Sequence, residues 1–139
     1  EPDKSAYTKL EEALQFYEAT GVDALAVAIG TVHGVFKGKP ELDFERLAAL
    51  RAALPIPLVM HGGSGLSDAQ FREAIQKGIN KINVFTTMTT GASKASLQAA
   101  EERGGKLYFH DLVNPGVERT YEIVKEHILL FDTQPLAAG

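Results

Sequence analysis

The chain has 139 residues, of which 45% are apolar and 23% are charged, so it has the length and composition of one globular domain with a hydrophobic core. Its net charge of -4 provides no basic surface for nucleic acid, and no apolar run is long enough to cross a membrane. Because it contains no cysteine, disulfides and thiolate metal ligands are excluded, and the polar N-terminal residues favour a cytoplasmic location.

The chain alternates between helical and strand patterns. Apolar residues at helical spacing predict a helix over residues 8–20, and Gly21 stands where a helix would stop. Residues 25–29 form a continuous apolar run, which is typical of a strand covered on both faces in a parallel sheet. The remaining predicted elements are strands at 57–60 and 81–85 and helices at 43–54, from Ser67 to Gly78, at 89–103 and at 116–131.

This alternation predicts an α/β fold with parallel strands and right-handed crossovers. A doubly wound sheet usually carries a G-x-G-x-x-G turn, which is absent here. Instead, His33, His61 and Asn83 follow three successive strands, as functional residues do in a (β/α)8 TIM barrel. Because a complete barrel needs about 200 residues or more, we expect the chain to form about half of one.

Two histidines beside glycines follow the ends of neighbouring predicted strands. His33 lies in the segment Gly30 to Gly34, and His61 directly precedes two glycines. Neutral imidazole is a common zinc ligand, and adjacent strand ends lie about 4.8 Å apart. The pair therefore predicts a metal site. The alternatives are acid–base catalysis and, for either histidine taken alone, a packed structural role. The other two histidines, His110 in a predicted loop and His127 in the last helix, are interpreted as structural.

A glycine-rich loop, Gly62 to Gly65, stands between His61 and the helix that Ser67 caps. Glycines allow backbone N–H groups to approach an anion closely, and a helix N-terminus adds further donors. The loop is thus predicted to bind a phosphate, and the alternative is a flexible turn.

The third strand end carries an amide and a lysine. Strand alternation predicts that Lys81, Asn83 and Phe85 share one face, while Ile82 and Val84 occupy the other. A buried asparagine such as Asn83 usually has a specific partner, with a bond to the backbone as the alternative. Lys81 has the chemistry for a Schiff base, but a buried ion pair or a snorkelling side chain is favoured.

Four segments carry a resemblance to a known family. They are TGVDALAVAIGTVHGVFKG at 20–38, LDF at 42–44, PLVMHGGSG at 57–65 and KINV at 81–84. Together they resemble the C-terminal half of class II, zinc-dependent fructose-bisphosphate or tagatose-bisphosphate aldolases, and the similarity extends over nearly the whole chain.

The resemblance implies a cytoplasmic lyase of carbohydrate metabolism and glycolysis. It would cleave a ketose bisphosphate, such as fructose- or tagatose-1,6-bisphosphate, to dihydroxyacetone phosphate and an aldehyde, and it would form a homodimer or homotetramer. The resemblance implies zinc binding by His33 and His61 and a catalytic role for Asn83. The implied contacts to dihydroxyacetone phosphate are Gly34, Gly62, Gly63, Ser64, Asn83, Val84, Phe85 and Thr86.

Departures from the family pattern concern its acidic groups. The family's Asp-His pair and its second acidic catalytic residue have no counterpart here, and Thr87 stands where many relatives carry Asp. We therefore expect residues 1–139 to be the C-terminal half-barrel, inactive without an N-terminal half. Two alternatives stay open, namely a metal-independent phosphosugar enzyme, such as a lysine-based aldolase or an isomerase, and a non-catalytic phosphosugar-binding half-barrel.

Overall fold

The computed structural model of the chain describes residues 4–31 and 41–135, and it divides into two compact units, Glu1–Val84 and Phe85–Gly139. In its described residues, the first unit alternates helices with the strands of one sheet. Its elements are a 3-10 helix Lys4–Ala6, α1 Leu10–Thr20, β1 Leu25–Ala26, α2 Phe44–Ala53, β2 Leu58–Met60, α3 Asp68–Gln76 and β3 Ile79–Ile82. The second unit contains α4 Thr86–Glu102 and α5 Phe109–Leu130.

The bounds of α1, α2 and α3 lie within two residues of those that the sequence predicts. Gly21 ends α1 in the left-handed conformation, with a φ of 62°. The Asp43 carboxylate caps α2 by accepting the backbone N–H of Arg46 at 2.9 Å. That hydrogen bond, together with the Arg46 side chain, lowers the pKa of Asp43 below its usual value. Ser67 caps α3, which confirms the predicted start of that helix.

The three strands form a parallel sheet in the order β1-β2-β3. An irregularity between Leu58 and Val59 interrupts the pairing of β2 with β3: Leu58 pairs with Ile79, but Val59 pairs with Lys81. The side chain of the intervening Asn80 accepts the backbone N–H of Leu58 at 3.1 Å. Asn80 is therefore an extra residue in β3, and the pairs that follow it are shifted by one position.

The two faces of the sheet differ. Leu58 and Met60 are completely buried, and so are Leu47 and Leu50 on α2, so the hydrophobic core of this unit lies on that face. The opposite face carries Val59, which is buried, together with Lys81 and Ala26, which are exposed. In this unit the face of the first strand that carries Ala26 is therefore not covered. That strand is also shorter than predicted, although the Val27 N–H still donates to Val59 O at 3.1 Å.

The second unit is a pair of packed helices. Gly91 of α4 provides the space for Ile123 of α5, because a Cβ at Gly91 would lie 2.6 Å from the Ile123 Cδ1 atom. The predicted starts of both helices are wrong, since α4 begins at Thr86 rather than at 89 and α5 begins at Phe109 rather than at 116, whereas the predicted ends lie within one residue of Glu102 and Leu130. Pro115 therefore lies inside α5 and not before it. In the described part of the chain, no helix has the length and apolarity needed to cross a membrane.

Candidate active site

His61 and Asn83 meet at the carboxyl end of the sheet. Met60 pairs with Ile82, so the residues that follow them stand opposite each other, and the Asn83 backbone N–H donates to Met60 O at 3.0 Å. The Asn83 Nδ2 atom lies 3.1 Å from His61 Nε2 and 3.3 Å from His61 Nδ1. The two residues that the sequence placed on successive strand ends are therefore in direct contact.

Lys81 extends this contact into a row of three polar side chains. Its Nζ atom donates to Asn83 Oδ1 at 2.5 Å, from the same face of β3. Sequence reasoning assigned Lys81 to a buried ion pair or a snorkelling position and missed this bond. The signal was nevertheless present, because strand alternation already placed Lys81 and Asn83 on one face. We call Lys81, Asn83 and His61 the polar row.

The glycine-rich loop continues directly from the polar row. Gly62 and Gly65 have φ values of 69° and 96°, which L-residues with side chains rarely adopt. Gly63 and Ser64 between them are buried. A Cβ at Gly63 would lie 3.0 Å from Cε1 of Phe71, so this glycine also allows the loop to pack tightly on α3.

The N-terminus of α3 is already occupied by its own cap. The Gln70 N–H donates to Ser67 Oγ at 3.3 Å, and the Ser67 N–H donates to Gln70 Oε1 at 3.0 Å. Asp68 adds a negative charge to the first turn. An anion at this loop would thus depend on the N–H groups of the glycine-rich segment more than on the helix end.

The predicted strand from 81 to 85 is displaced. β3 ends at Ile82, and Phe85 is the residue before α4, with its side chain 72% exposed. Thr86 is the first residue of α4, where its carbonyl accepts the Thr90 hydroxyl at 2.7 Å. The alternation that unites Lys81 and Asn83 therefore does not extend to Phe85, because the chain has turned toward α4. The predicted substrate contacts of Val84, Phe85 and Thr86 stay predictions.

The predicted metal site is described only in part, because His33 and Gly34 lie outside the described residues. Among the residues that the structure does describe, no three His, Asp or Glu side chains come together to hold a metal ion. His61 supplies an imidazole at a strand end, which is the donor type that zinc prefers. His61 thus fits as one ligand of a site that needs further ligands from elsewhere.

The other two histidines make contacts within α5. His110 lies in the first turn of α5 and not in a loop, and its ring stacks on Tyr108 with the centroids 5.7 Å apart. His127 Nδ1 lies 2.7 Å from Ile123 O, and its ring meets Phe131 edge to face. These contacts agree with their interpretation as structural residues.

Comparison with known proteins identifies the family. The profile of class II fructose-bisphosphate aldolases matches residues 1–135. The chain belongs to this family. The resemblance read from its strand-end motifs is therefore confirmed.

Two curated relatives match the chain over part of their own length. The sulfofructosephosphate aldolase of Alkalicoccus urumqiensis is 39% identical over 127 residues, which are 91% of this chain and 44% of the relative. The uncharacterized protein YdjI of Escherichia coli K12 is 43% identical over 104 residues, which are 75% of this chain and 36% of the relative. The chain therefore spans less than half the length of each.

Solved structures agree on the fold. The YdjI aldolase of Escherichia coli K12 superimposes with a TM-score of 0.80 and 39% identity, over 95% of this chain and 48% of that one. The fructose-bisphosphate aldolase of Campylobacter jejuni gives a TM-score of 0.76 over 92% of this chain and 46% of that one, and its 22% identity bears on the fold alone. The chain thus has an α/β fold that resembles about half of an aldolase structure.

Proposed function

We propose that the chain is the C-terminal half of the (β/α)8 barrel of a zinc-dependent ketose-bisphosphate aldolase. The observation that supports this most directly is the contact of His61 with Asn83 beside the glycine-rich loop, at the carboxyl end of a parallel sheet. In barrel enzymes this end of the sheet carries the chemistry. Membership of the class II aldolase family adds the expected reaction class, that of a lyase.

The half-barrel proposal is supported by the sheet. Its helix-bearing face forms the core, while the face with Ala26, Lys81 and Asn83 would become the interior of a closed barrel. The outer strands β1 and β3 would pair with strands from the other half. The relatives, which are about twice as long as the matched region, have the length for both halves.

His61, together with His33, would hold the zinc ion. Catalytic zinc normally has three protein ligands, so at least one more would come from the other half. When bound, the ion supplies Lewis-acid chemistry that polarises a substrate carbonyl. No Schiff base at Lys81 is required for this reaction.

The remaining residues would bind and orient the substrate. Backbone N–H groups of Gly62, Gly63 and Ser64 would hold the phosphate of the dihydroxyacetone phosphate portion. The Asn83 NH2 group, which faces His61, would donate a hydrogen bond to a substrate oxygen near the metal ligand. Both contacts fix the reacting carbon beside the metal, and such orientation lowers the barrier to cleavage.

The substrate would be a phosphorylated ketose that yields dihydroxyacetone phosphate and an aldehyde. Fructose- and tagatose-1,6-bisphosphate are the first candidates, and the name of the Alkalicoccus urumqiensis relative adds a sulfofructose phosphate. We further propose a cytoplasmic homo-oligomer, a dimer or a tetramer, that acts in carbohydrate metabolism.

The test uses the purified full-length protein with these three ketose phosphates, and it measures the release of dihydroxyacetone phosphate. We expect a chelator to abolish cleavage and added zinc to restore it. His61→Ala should remove both the bound metal and the activity. Because His61 would bind the metal directly, the loss of activity should exceed the about 10–100-fold loss typical of changing a residue that only hydrogen-bonds to a metal ligand. The matched control is His110→Ala, which removes an imidazole from α5 and should leave both unchanged.

Two results would contradict the proposal. One is cleavage that survives exhaustive chelation. The other is substrate trapped on Lys81 by borohydride, which would instead identify a lysine-based aldolase.

A further inference from the structure

The polar row contains one residue to which the proposed function gives no role. Lys81 stands two residues before Asn83 on the same face of β3, and its ammonium group bonds to the Asn83 amide. We propose that Lys81 is a positioning residue that fixes which end of the Asn83 amide faces the substrate. The expected effect on kcat/KM rests on the proposed function, whereas the orientation of the Asn83 amide does not.

The argument begins with the two ends of an amide. Asn83 carries one oxygen acceptor and one NH2 donor, which have nearly the same shape and exchange places when the amide turns over. An ammonium group has three N–H donors and no acceptor, so only the oxygen of an amide can bond to it. The contact of Lys81 Nζ with Asn83 Oδ1 therefore selects one of the two orientations.

The selected orientation has a direct effect on His61. With its oxygen held by Lys81, Asn83 turns its NH2 group toward the imidazole, 3.1 Å from Nε2 and 3.3 Å from Nδ1. Substrate oxygens that bind beside His61 would meet a donor. The reversed amide would present its carbonyl oxygen there, and a substrate carbonyl oxygen would then meet an acceptor in place of a donor.

The bond to Lys81 also has the strength to hold this orientation. It involves a charged donor, and such hydrogen bonds are roughly twice as strong as neutral ones. Without it, the terminal torsion of asparagine is broad and nearly two-fold, so both orientations become populated. Loss of Lys81 should therefore reduce the fraction of enzyme that is ready to react, through Asn83.

The kinetic test is a double-mutant cycle in the purified full-length protein. Lys81→Met should lower kcat/KM about tenfold, the size of one charge-assisted hydrogen bond. Lys81→Arg should stay within about threefold of the original protein, since a guanidinium also has only donors. Lys77→Met is the matched control, because Lys77 is an exposed residue at the end of α3, and it should have no effect.

The decisive comparison is made in the background of Asn83→Ala. If Lys81 acts through Asn83, adding Lys81→Met to Asn83→Ala should cause no further loss. A full tenfold further loss would overturn the proposal, because Lys81 would then act independently of the amide. Lys81→Arg as inactive as Lys81→Met would also overturn it and would indicate a chemical role for the amine.

A spectroscopic readout separates this inference from the proposed function. In 15N-labelled protein without substrate, Lys81→Met should shift the Asn83 side-chain NH2 resonances and speed their exchange with water, whereas Lys77→Met should leave them unchanged. If these resonances shift but the original protein cleaves no ketose phosphate, the proposed function fails and the positioning role stands. If Lys81→Met leaves them unchanged, the positioning role is wrong whatever the activity. Lys81→Leu, which also has no hydrogen-bond donor, provides a second variant should Lys81→Met fail to fold.

Discussion

Adding a single methyl group at Gly63 tests both the packing and the chemistry of the glycine-rich loop. The Cβ of Gly63→Ala would lie 3.0 Å from Cε1 and 3.3 Å from Cζ of Phe71, and 3.6 Å from Cγ2 of Ile82. Phe71 is a buried residue of α3, so its ring must move by a few tenths of an ångström. The expected effect is therefore overpacking beneath the loop.

Overpacking of this size costs about 1–3 kcal/mol. For a protein of about 150–250 residues each kcal/mol lowers Tm by about 2–4 °C, so Gly63→Ala should lower Tm by about 2–12 °C. Phe71→Leu removes the ring atoms that the methyl group meets. The double variant should thus be more stable than the sum of the two single changes predicts, with a coupling of about 0.5–3 kcal/mol.

Thermal unfolding of the full-length protein, its two single variants and the double variant measures this coupling. The same four proteins then report on phosphate binding. In the double variant, where the packing is relieved, a raised KM with unchanged zinc content would support a phosphate cradle. Additive Tm changes would refute the packing argument, and an unchanged KM would show that the loop is only a turn.

Three further changes probe the first unit, each by chemical denaturation. Gly30→Ala should cost more than about 1–3 kcal/mol, because Gly30 has a φ of 111° and a Cβ there would collide with the backbone oxygen of Glu41; a smaller loss would contradict this geometry. Ser67→Ala removes the capping box and should cost about 0.5–2 kcal/mol, whereas an unchanged midpoint would show that the cap is dispensable. The pKa of Asp43 is lowered in the folded protein, chiefly by the hydrogen bond from the Arg46 backbone N–H. The ionised carboxylate therefore stabilises the fold above its unfolded pKa of about 3.8, and this stabilisation is lost as the pH falls through the lowered pKa of the folded state. Asp43→Asn should therefore be less stable than the original protein at neutral pH, and the two curves should converge in acid; a constant gap would contradict the assignment.

Sequence reasoning found the site because apolar runs mark strands and polar residues mark their ends. That logic predicted that His61 and Asn83 would be neighbours, and the structure places them in contact. It did not fix where β3 begins, because only residues 81–84 alternate, so the adjacent polar residues Asn80 and Lys81 hid the start of the strand at Ile79. The position of His33 beside His61 stays a prediction.

In the second unit, the start of a helix could not be predicted from the sequence. The predicted helix starts at Gly116, directly after Pro115, a residue that cannot donate the N–H that a helix interior needs. α5 instead begins at Phe109, where the Asp111 carboxylate accepts the N–H of Tyr108 at 3.1 Å and pairs with Arg103 at 2.9 Å. These are contacts between side chains and a helix end, and neither apolar periodicity nor helix propensity reports them.

The irregular pairing at Leu58 determines which residue faces His61. If the ladder had continued evenly from the pair of Leu58 and Ile79, His61 would stand opposite Ile82, an apolar residue, instead of Asn83. The amide is in place because Asn80 takes up one extra position of the strand. A single insertion or deletion between Ile79 and Asn83 would therefore replace the amide opposite His61 with a neighbouring side chain.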